Sequence, residues 1–264
     1  MSLNLVTFRR EVWQDTEIKA KAYPLAIAPT KYEYDSTYTP SKRFSTTAIQ
    51  VIDTETIDAG QQLLAKGLHP LLLNQTDVIQ PGGMVQQGLP TQEASLYRRS
   101  NCCEALQDLS GLYPLEDEQA IYCPRITILK ESEFNMYADC SPYVLDFVAC
   151  PGIPFPSKTE IGDLSEVDKE IYRKKIELIF QIAAKNGHDS LVLGPLGCGG
   201  WGNPPRVVAF LFREVLQKWE GVFSEVIFAC LILQKTIPSL PNAYSKQPKT
   251  NYDLFSIVFS IPSS

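Results

Sequence analysis

The chain has 264 residues, of which 44% are hydrophobic and 20% are charged, and this composition is ample for the core of a globular domain. Its formal net charge of −6 argues against direct binding to nucleic acid or to an anionic membrane, because both need a basic surface. Any phosphate group must then be held by local backbone dipoles rather than by many lysines.

The seven cysteines include no Cys-x-x-Cys pair, so we predict reduced thiols and no metal site. The N-terminus has no basic start followed by an apolar run, and no apolar stretch reaches the ~18 residues of a membrane span. The expectation is a cytoplasmic protein that has neither a membrane nor a nucleic acid as a direct partner.

Residues 1–46 are the least regular part of the chain. A short helix is predicted over 8–16, whereas 23–45 is rich in Pro, Thr, Ser and Tyr, which is typical of irregular or edge-strand structure. We therefore divide the chain into an N-terminal extension packed on the domain (1–46) and a single domain (47–264).

From residue 47 onward, strand and helix patterns alternate. The predicted strands are 47–52, 70–74, 121–130, 143–149, 189–194 and 224–233, with a last one at 253–260. The predicted helices are 55–66, 92–108, 163–186 and 204–219, and 235–251 is predicted to be a surface loop. Short apolar strands between helices are buried on both faces, so the pattern predicts a three-layer α/β/α sandwich.

Two glycine-rich segments lie between an apolar strand and a helix start. The first glycine loop, 80–91, contains Pro81-Gly82-Gly83 and leads to Gln92-Glu93, with Thr91 as the expected N-cap. The second glycine loop, 194–203, follows another strand. Glycines let backbone N–H groups approach a ligand, and a helix N-terminus behind them favours an anion. Two such loops facing each other suit a diphosphate.

The second glycine loop has two other interpretations. Gly197, Gly199 and Gly202 have the spacing of a dinucleotide fingerprint, but the next strand ends at Leu233-Gln234-Lys235 without the acid that a Rossmann site needs for the ribose. The loop could also be a tight turn without a ligand, although each glycine costs ordering entropy.

These two loops resemble the motifs of the microbial-type poly(ADP-ribose) glycohydrolases (PARG). The segment 80–100 is similar to the family's signature, and 193–205 is similar to its diphosphate loop. Both occur in the family order, and the resemblance covers roughly residues 47–233. It implies a macrodomain-like sandwich with a central mixed sheet, whose partner is ADP-ribose or an ADP-ribosylated protein.

The resemblance also implies ligand-binding positions. Asn74 would bind the distal ribose, the first loop would approach that ribose and the diphosphate, and backbone N–H groups of the second loop would wrap the diphosphate. Trp201 stands where the family has an aromatic residue over the ligand, although a core or rim position would also suit it. The implied set is Asn74, Gly82, Gly83, Leu196, Gly197, Cys198, Gly199, Gly200 and Trp201, with no cofactor.

Two departures from the family pattern bear on catalysis. Met84 replaces the third glycine, and Ala94 replaces the second glutamate, which is the family's catalytic acid. Alanine cannot protonate a leaving group or activate water. Glu93 and Asp77 are the candidate catalytic carboxylates that remain, although adjacent helical residues point about 100° apart, so Glu93 does not simply replace the missing acid.

Two functions follow as hypotheses. The first is a hydrolase that removes ADP-ribose from modified protein with a non-standard carboxylate. The second is a catalytically silent ADP-ribose reader, which Ala94 favours. A Rossmann-type NAD-binding protein is kept as an outsider. The sequence leaves open the modified target, its linkage and the oligomeric state.

Overall fold

The computed structural model describes residues 4–106, 111–232 and 249–261. Seven strands of this part of the chain form one sheet in the order β1-β4-β5-β3-β6-β7-β2. The strands are β1 (Thr30–Glu33), β2 (Ala48–Ile52), β3 (Pro70–Asn74), β4 (Gln119–Lys130), β5 (Asp139–Ala149), β6 (Ser190–Leu193) and β7 (Glu225–Ala229). β5, β3, β6, β7 and β2 are parallel to one another, whereas β4 is antiparallel to both β1 and β5.

The helices cover both faces of the sheet. Those found among the described residues are α1 (Leu5–Ala20), α2 (Thr56–Ala65), α3 (Gln92–Arg99), α4 (Cys102–Leu106), α5 (Glu166–Lys185), α6 (Pro205–Lys218) and α7 (Asn251–Ser260). Side chains of α1 to α4 form the core on one face, and those of α5 to α7 form the core on the other. The predicted three-layer α/β/α sandwich with a mixed sheet is therefore confirmed.

Strand periodicity explains why the central strands are apolar throughout. In β3, Leu71 and Leu73 point into the core beneath α5 and α6, whereas Leu72 points into the core beneath α2. All five residues of β3 are buried, since helices cover the sheet on both sides. The mixed strand order also differs from the 3-2-1-4-5-6 order of a Rossmann sheet, so the fold does not support the interpretation as a Rossmann-type NAD-binding protein.

The N-terminal segment contributes directly to the sheet. β1 pairs with β4 as an edge strand, and the predicted helix over 8–16 lies within the longer α1, which packs on α3. The domain boundary at residue 46 stays a prediction, but the segment before it is part of the same fold.

Several predicted elements differ from those observed. The strand predicted over 253–260 is wrong, because Thr250 and Asp253 form a capping box that starts α7, whose Phe255 and Val258 are buried at helical spacing. The helix predicted over 92–108 is interrupted at Ser100, which is extended and pairs with Ile128 of β4. The loop predicted over 235–251 lies mostly outside the described residues.

Two helices start later than predicted. The helix predicted from residue 163 begins at Glu166, and Ser165 caps it by accepting a hydrogen bond from the N–H of Asp168 at 3.1 Å. α6 starts one residue later than predicted, with Pro204 at the N-cap. Within the described ranges, no helix is both long and apolar enough to cross a membrane.

The two arginines of α3 are buried and bonded to other parts of the chain. Arg98 donates to the hydroxyl of Tyr137 at 2.9 Å and to the carbonyl of Leu89 at 3.0 Å. Arg99 is 1% exposed and pairs with Glu55 at 2.7 Å and with Asp58 at 2.5 Å. Arg99 therefore joins α3 to the start of α2.

We expect Arg99→Ala to lower the free energy of unfolding by about 3–5 kcal/mol, because it leaves two carboxylates beside each other without their buried cation. Urea unfolding monitored by far-UV circular dichroism measures the change. Arg173→Ala is the matched control, since its pair with Glu214 lies at the surface and should cost about 1 kcal/mol or less. Equal losses in the two variants would contradict this assignment.

Candidate functional site

Both glycine loops start from the same edge of the sheet. The first follows the carboxyl end of β3 and the second follows the carboxyl end of β6, and these strands are parallel neighbours. A methyl group added to Gly194 would lie 2.8 Å from Nε2 of Gln75, so the segments that leave the two strands are in contact. The carboxyl edge of a parallel sheet is where α/β proteins bind ligands.

Gly197 is required by packing within the second loop. Its φ is +72°, and a Cβ at this position would lie 2.5 Å from Nδ2 of Asn203 and 2.7 Å from the Tyr172 hydroxyl. Asn203 uses the same amide group to donate to the carbonyls of Ile153 and Gly197, both at 2.8 Å. Asn203 therefore ties the loop after β5 to the second loop.

Gly199 and Gly200 have no such structural role. Both are exposed, neither has a positive φ, and a Cβ on either would meet no atom within 4 Å. The tight-turn interpretation therefore accounts for Gly197 and Gly202, which have positive φ, but not for these two positions. Their backbone is open to a ligand that would approach closely.

The first loop packs against the start of α3. Gly82 has a φ of +109°, and a Cβ on Gly83 would collide with Oγ1 of Thr91. Thr91 donates to the carbonyl of Gly83 at 2.9 Å and accepts from the N–H of Ala94 at 3.1 Å. The predicted N-cap is thus confirmed, and it also anchors the loop. Met84, at the position of the family's third glycine, adopts a φ of +56° and is exposed.

Glu93 lies on the side of α3 that faces the end of β3. It is 2% exposed, and Nδ2 of Asn74 donates to its Oε1 at 3.1 Å. Burial raises the pKa of Glu93 to about 7, while hydrogen bonds from Thr76, the Gly82 backbone, Asn74 and the Asp77 backbone oppose this rise. A carboxyl group that is half protonated near neutral pH suits proton transfer.

The other two positions relevant to catalysis differ from Glu93. Ala94 is fully buried and belongs to the core beneath α1 to α4, so the family's acid position is both apolar and closed to solvent. Asp77 is partly exposed, and its Oδ1 accepts from the N–H of Ile79 at 2.8 Å. Its carboxylate thus shapes the turn that leads into the first loop.

The remaining predicted positions occupy different surroundings. Leu196 is a core side chain whose carbonyl accepts from the Tyr172 hydroxyl at 3.0 Å and whose N–H donates to the carbonyl of Gly194 at 2.8 Å, so both of its backbone groups are already bonded within the protein. Burial raises the pKa of the Cys198 thiol well above its ordinary value, which keeps it protonated. Trp201 is partly exposed on the loop surface. Their contacts with a ligand stay predictions.

Two residues that position the site were not among the predicted site residues. Gln92 donates to the carbonyl of Leu73 at 2.9 Å and accepts from the N–H of Gln75 at 3.0 Å, so it holds α3 to the end of β3. Gly152 faces Gly197, and a Cβ on it would lie 2.6 Å from that residue's Cα. Its place after β5, at the same sheet edge, is the signal that identifies it.

The family resemblance is confirmed by comparison with known proteins. Residues 6–131 match the model of the family described as microbial-type PARG, catalytic domain. No curated protein matches the chain.

Solved structures of bacterial PARG share the fold. PARG from Thermomonospora curvata is 24% identical with a TM-score of 0.74, and the match covers 95% of this chain and 99% of that one. The same protein bound to the inhibitor ADP-HPD has a TM-score of 0.73 at 24% identity, over 94% of this chain and 98% of that one. PARG from Deinococcus radiodurans in complex with ADP-ribose is 21% identical, with a TM-score of 0.62 over 98% of each chain.

The raised pKa of Glu93 predicts a pH dependence of stability. Between its ordinary value of 4.5 and about 7, the folded protein keeps a proton that the unfolded chain has released, so the free energy of unfolding falls as the pH rises through this window. We expect Glu93→Gln to exceed the wild type by roughly 2–4 kcal/mol at pH 8 and to lose this advantage near pH 4.5.

Urea unfolding of both proteins at several pH values measures this difference. Glu11→Gln is the control, because Glu11 is an exposed glutamate on α1 and its replacement should leave the pH profile unchanged. Parallel profiles for the wild type and Glu93→Gln would contradict the raised pKa.

Proposed function

We propose that this chain, as a relative of the microbial-type PARG proteins, binds ADP-ribose between its two glycine loops and hydrolyses the bond that joins ADP-ribose to a protein. The observation that carries the binding half is the pair Gly199 and Gly200, whose small size serves no purpose in the fold. The observation that carries the hydrolytic half is the buried carboxyl group of Glu93.

Local dipoles supply the attraction for the diphosphate. The chain has a net negative charge, so the phosphates must be bound by backbone N–H groups of the loops. The second loop leads into α6, a helix of 14 residues, and the first leads into α3, so both helix N-termini add partial positive charge at the same edge. The bound ADP-ribose of the Deinococcus radiodurans structure supports this choice of ligand.

Glu93 is the group that we assign to proton transfer. In this proposal its carboxylic acid donates a proton to the atom that leaves C1 of the distal ribose, as the bond between them breaks. Water then adds to the oxocarbenium-like carbon and returns a proton to the Glu93 carboxylate. ADP-ribose and the unmodified side chain are the products. A pKa near 7 allows one carboxyl group to serve as acid and then as base.

Asp77 has a secondary place in this proposal. Its carboxylate lies where the chain enters the first loop, and there it would orient water or stabilise the positive charge that develops on the ribose. If the substrate is a modified arginine, its guanidinium is already protonated before the bond breaks and leaves as neutral guanidine, so the need for a strong acid is smaller. Linkages other than ribose–ribose therefore suit a chain that lacks the family's second glutamate.

A silent reader is the second candidate function, and Ala94 favours it. The family's acid position holds only a methyl group, and Glu93 itself is 2% exposed. Such a chain would keep both loops, bind ADP-ribose on a modified protein and leave the linkage intact. The cytoplasmic location predicted from the sequence suits either function.

Binding is tested first, by calorimetric titration of the wild type and of Gly200→Leu with ADP-ribose. We expect the variant to fold normally, because its side chain meets open space, and to bind at least tenfold more weakly, because that side chain blocks the backbone. Ala65→Leu adds comparable bulk at an exposed site on α2 and serves as the control. Undiminished affinity in Gly200→Leu would rule out this diphosphate site.

Turnover is tested next, by incubation with arginine-linked and glutamate-linked mono-ADP-ribosylated proteins. We expect release by the wild type that declines above about pH 7, as Glu93 loses its proton, and a decrease in kcat of ~10²–10⁴ in Glu93→Gln with ADP-ribose affinity retained. Full activity in Asp77→Ala would remove Asp77 from the mechanism. Tight binding without release by the wild type would establish the reader instead.

A further inference from the structure

A second cluster of reactive side chains lies at the opposite edge of the sheet from the glycine loops. His69 directly precedes β3 and His188 lies just before β6, at the amino ends of those strands. Asp146 of β5 pairs with Leu71 at the start of β3, so it reaches the same edge. His69 and His188, 119 positions apart in the chain, are thereby brought together, and the centroids of their stacked imidazole rings lie 4.2 Å apart.

The three potential ligand atoms have the spacing of a metal site. Nε2 of His69 and Nε2 of His188 each lie 3.6 Å from Oδ2 of Asp146, and all three groups lie within 4.8 Å of one another. Tetrahedral zinc with bonds of 2.0–2.1 Å separates its ligand atoms by about 3.3 Å. Small rotations of the side chains would therefore bring these atoms to ligand distance.

Neighbouring groups orient two of the three ligands. His188 Nδ1 lies 3.2 Å from the carbonyl oxygen of His69, and because a carbonyl only accepts, Nδ1 carries the hydrogen and Nε2 presents its lone pair. The N–H of Arg125, at a bulge in β4, holds Oδ1 of Asp146 at 2.7 Å and leaves Oδ2 facing the rings.

The cluster is rich in lone pairs relative to its hydrogen-bond donors. The hydroxyl of Tyr122 lies 2.7 Å from Oδ2 of Asp146 and 3.1 Å from Nε2 of His188. Its single hydrogen cannot satisfy both acceptors. A cation between these atoms would balance the lone pairs of Asp146 and His188, and the negative charge of Asp189, which accepts from the N–H of His69 at 2.7 Å, adds to the attraction.

We propose that His69, His188 and Asp146 bind a divalent transition metal of the zinc class. Two imidazoles and one carboxylate suit such ions better than Mg²⁺ or Ca²⁺, which prefer sets of oxygen ligands. A cavity of about 560 Å³ adjoins the cluster, lined among others by Tyr32, Arg125 and Asn186. Three protein ligands beside an open cavity leave a coordination position for water or a small anion. This site is independent of the proposed ADP-ribose function.

The Cys-x-x-Cys criterion applied to the sequence does not test for such a site, since its ligands are histidines and a carboxylate. The full chain, freed of metal with EDTA, is titrated with ZnCl₂ by calorimetry. We expect one saturable site, at least tenfold weaker in His69→Ala, which should fold normally because the His69 side chain is 55% exposed. Asn186→Ala, from the wall of the same cavity, should retain the affinity.

Cobalt distinguishes this site from the cysteines. Co²⁺ bound to His69, His188 and Asp146 should give visible absorption without sulfur-to-metal charge transfer, and Asp146→Asn should weaken it. The proposal is overturned by the absence of saturable binding, by unchanged affinity in both His69→Ala and Asp146→Asn, or by a thiolate spectrum. Binding of ADP-ribose to His69→Ala should equal that of the wild type, so the two sites are tested separately.

Discussion

The parallel pairing of β3 between β5 and β6 is the constraint on which both proposed sites depend. Because the strands run in the same direction, their carboxyl ends carry the two glycine loops and their amino ends carry His69 and His188. Cores on both faces bury β3 completely, so its register cannot shift without moving leucines from one core to the other. The fixed register of β3 therefore fixes where the first glycine loop begins.

The carboxyl group of Glu93, proposed for proton transfer, lowers the stability of the folded chain at neutral pH. Its ionised form is opposed by burial, yet Asn74, Thr76 and two backbone N–H groups keep it near the point of half ionisation. A glutamine or an apolar residue at this position would lower the free energy of unfolding less. The neighbouring Ala94 follows that structural preference, since it fills the core with a methyl group. Adjacent positions in the first turn of α3 therefore hold a buried carboxyl group that lowers stability and an apolar side chain that fills the core.

The sequence was informative wherever local chemistry determines structure. β3 was predicted at its observed bounds, and Thr91 was identified as the N-cap of α3 because an N-cap depends on a few adjacent residues. Prediction failed where distant partners decide. The burial of Arg99 could not be read from the sequence, because Glu55 and Asp58, which neutralise it, lie more than forty positions away. The strand predicted over 253–260 was wrong because the capping box formed by Thr250 and Asp253 starts a helix there.

The contrast between Gly197 and its neighbours has an evolutionary consequence. Architecture alone preserves Gly197 and Gly152, since their backbones touch and any side chain would push the strands' loops apart. No neighbouring atom requires Gly199 and Gly200 to lack a side chain, so under the proposed function selection for the bound ligand is what would keep them. In related proteins, substitutions at Gly199 and Gly200 beside an unchanged Gly197 would then indicate loss of ligand binding with the fold retained.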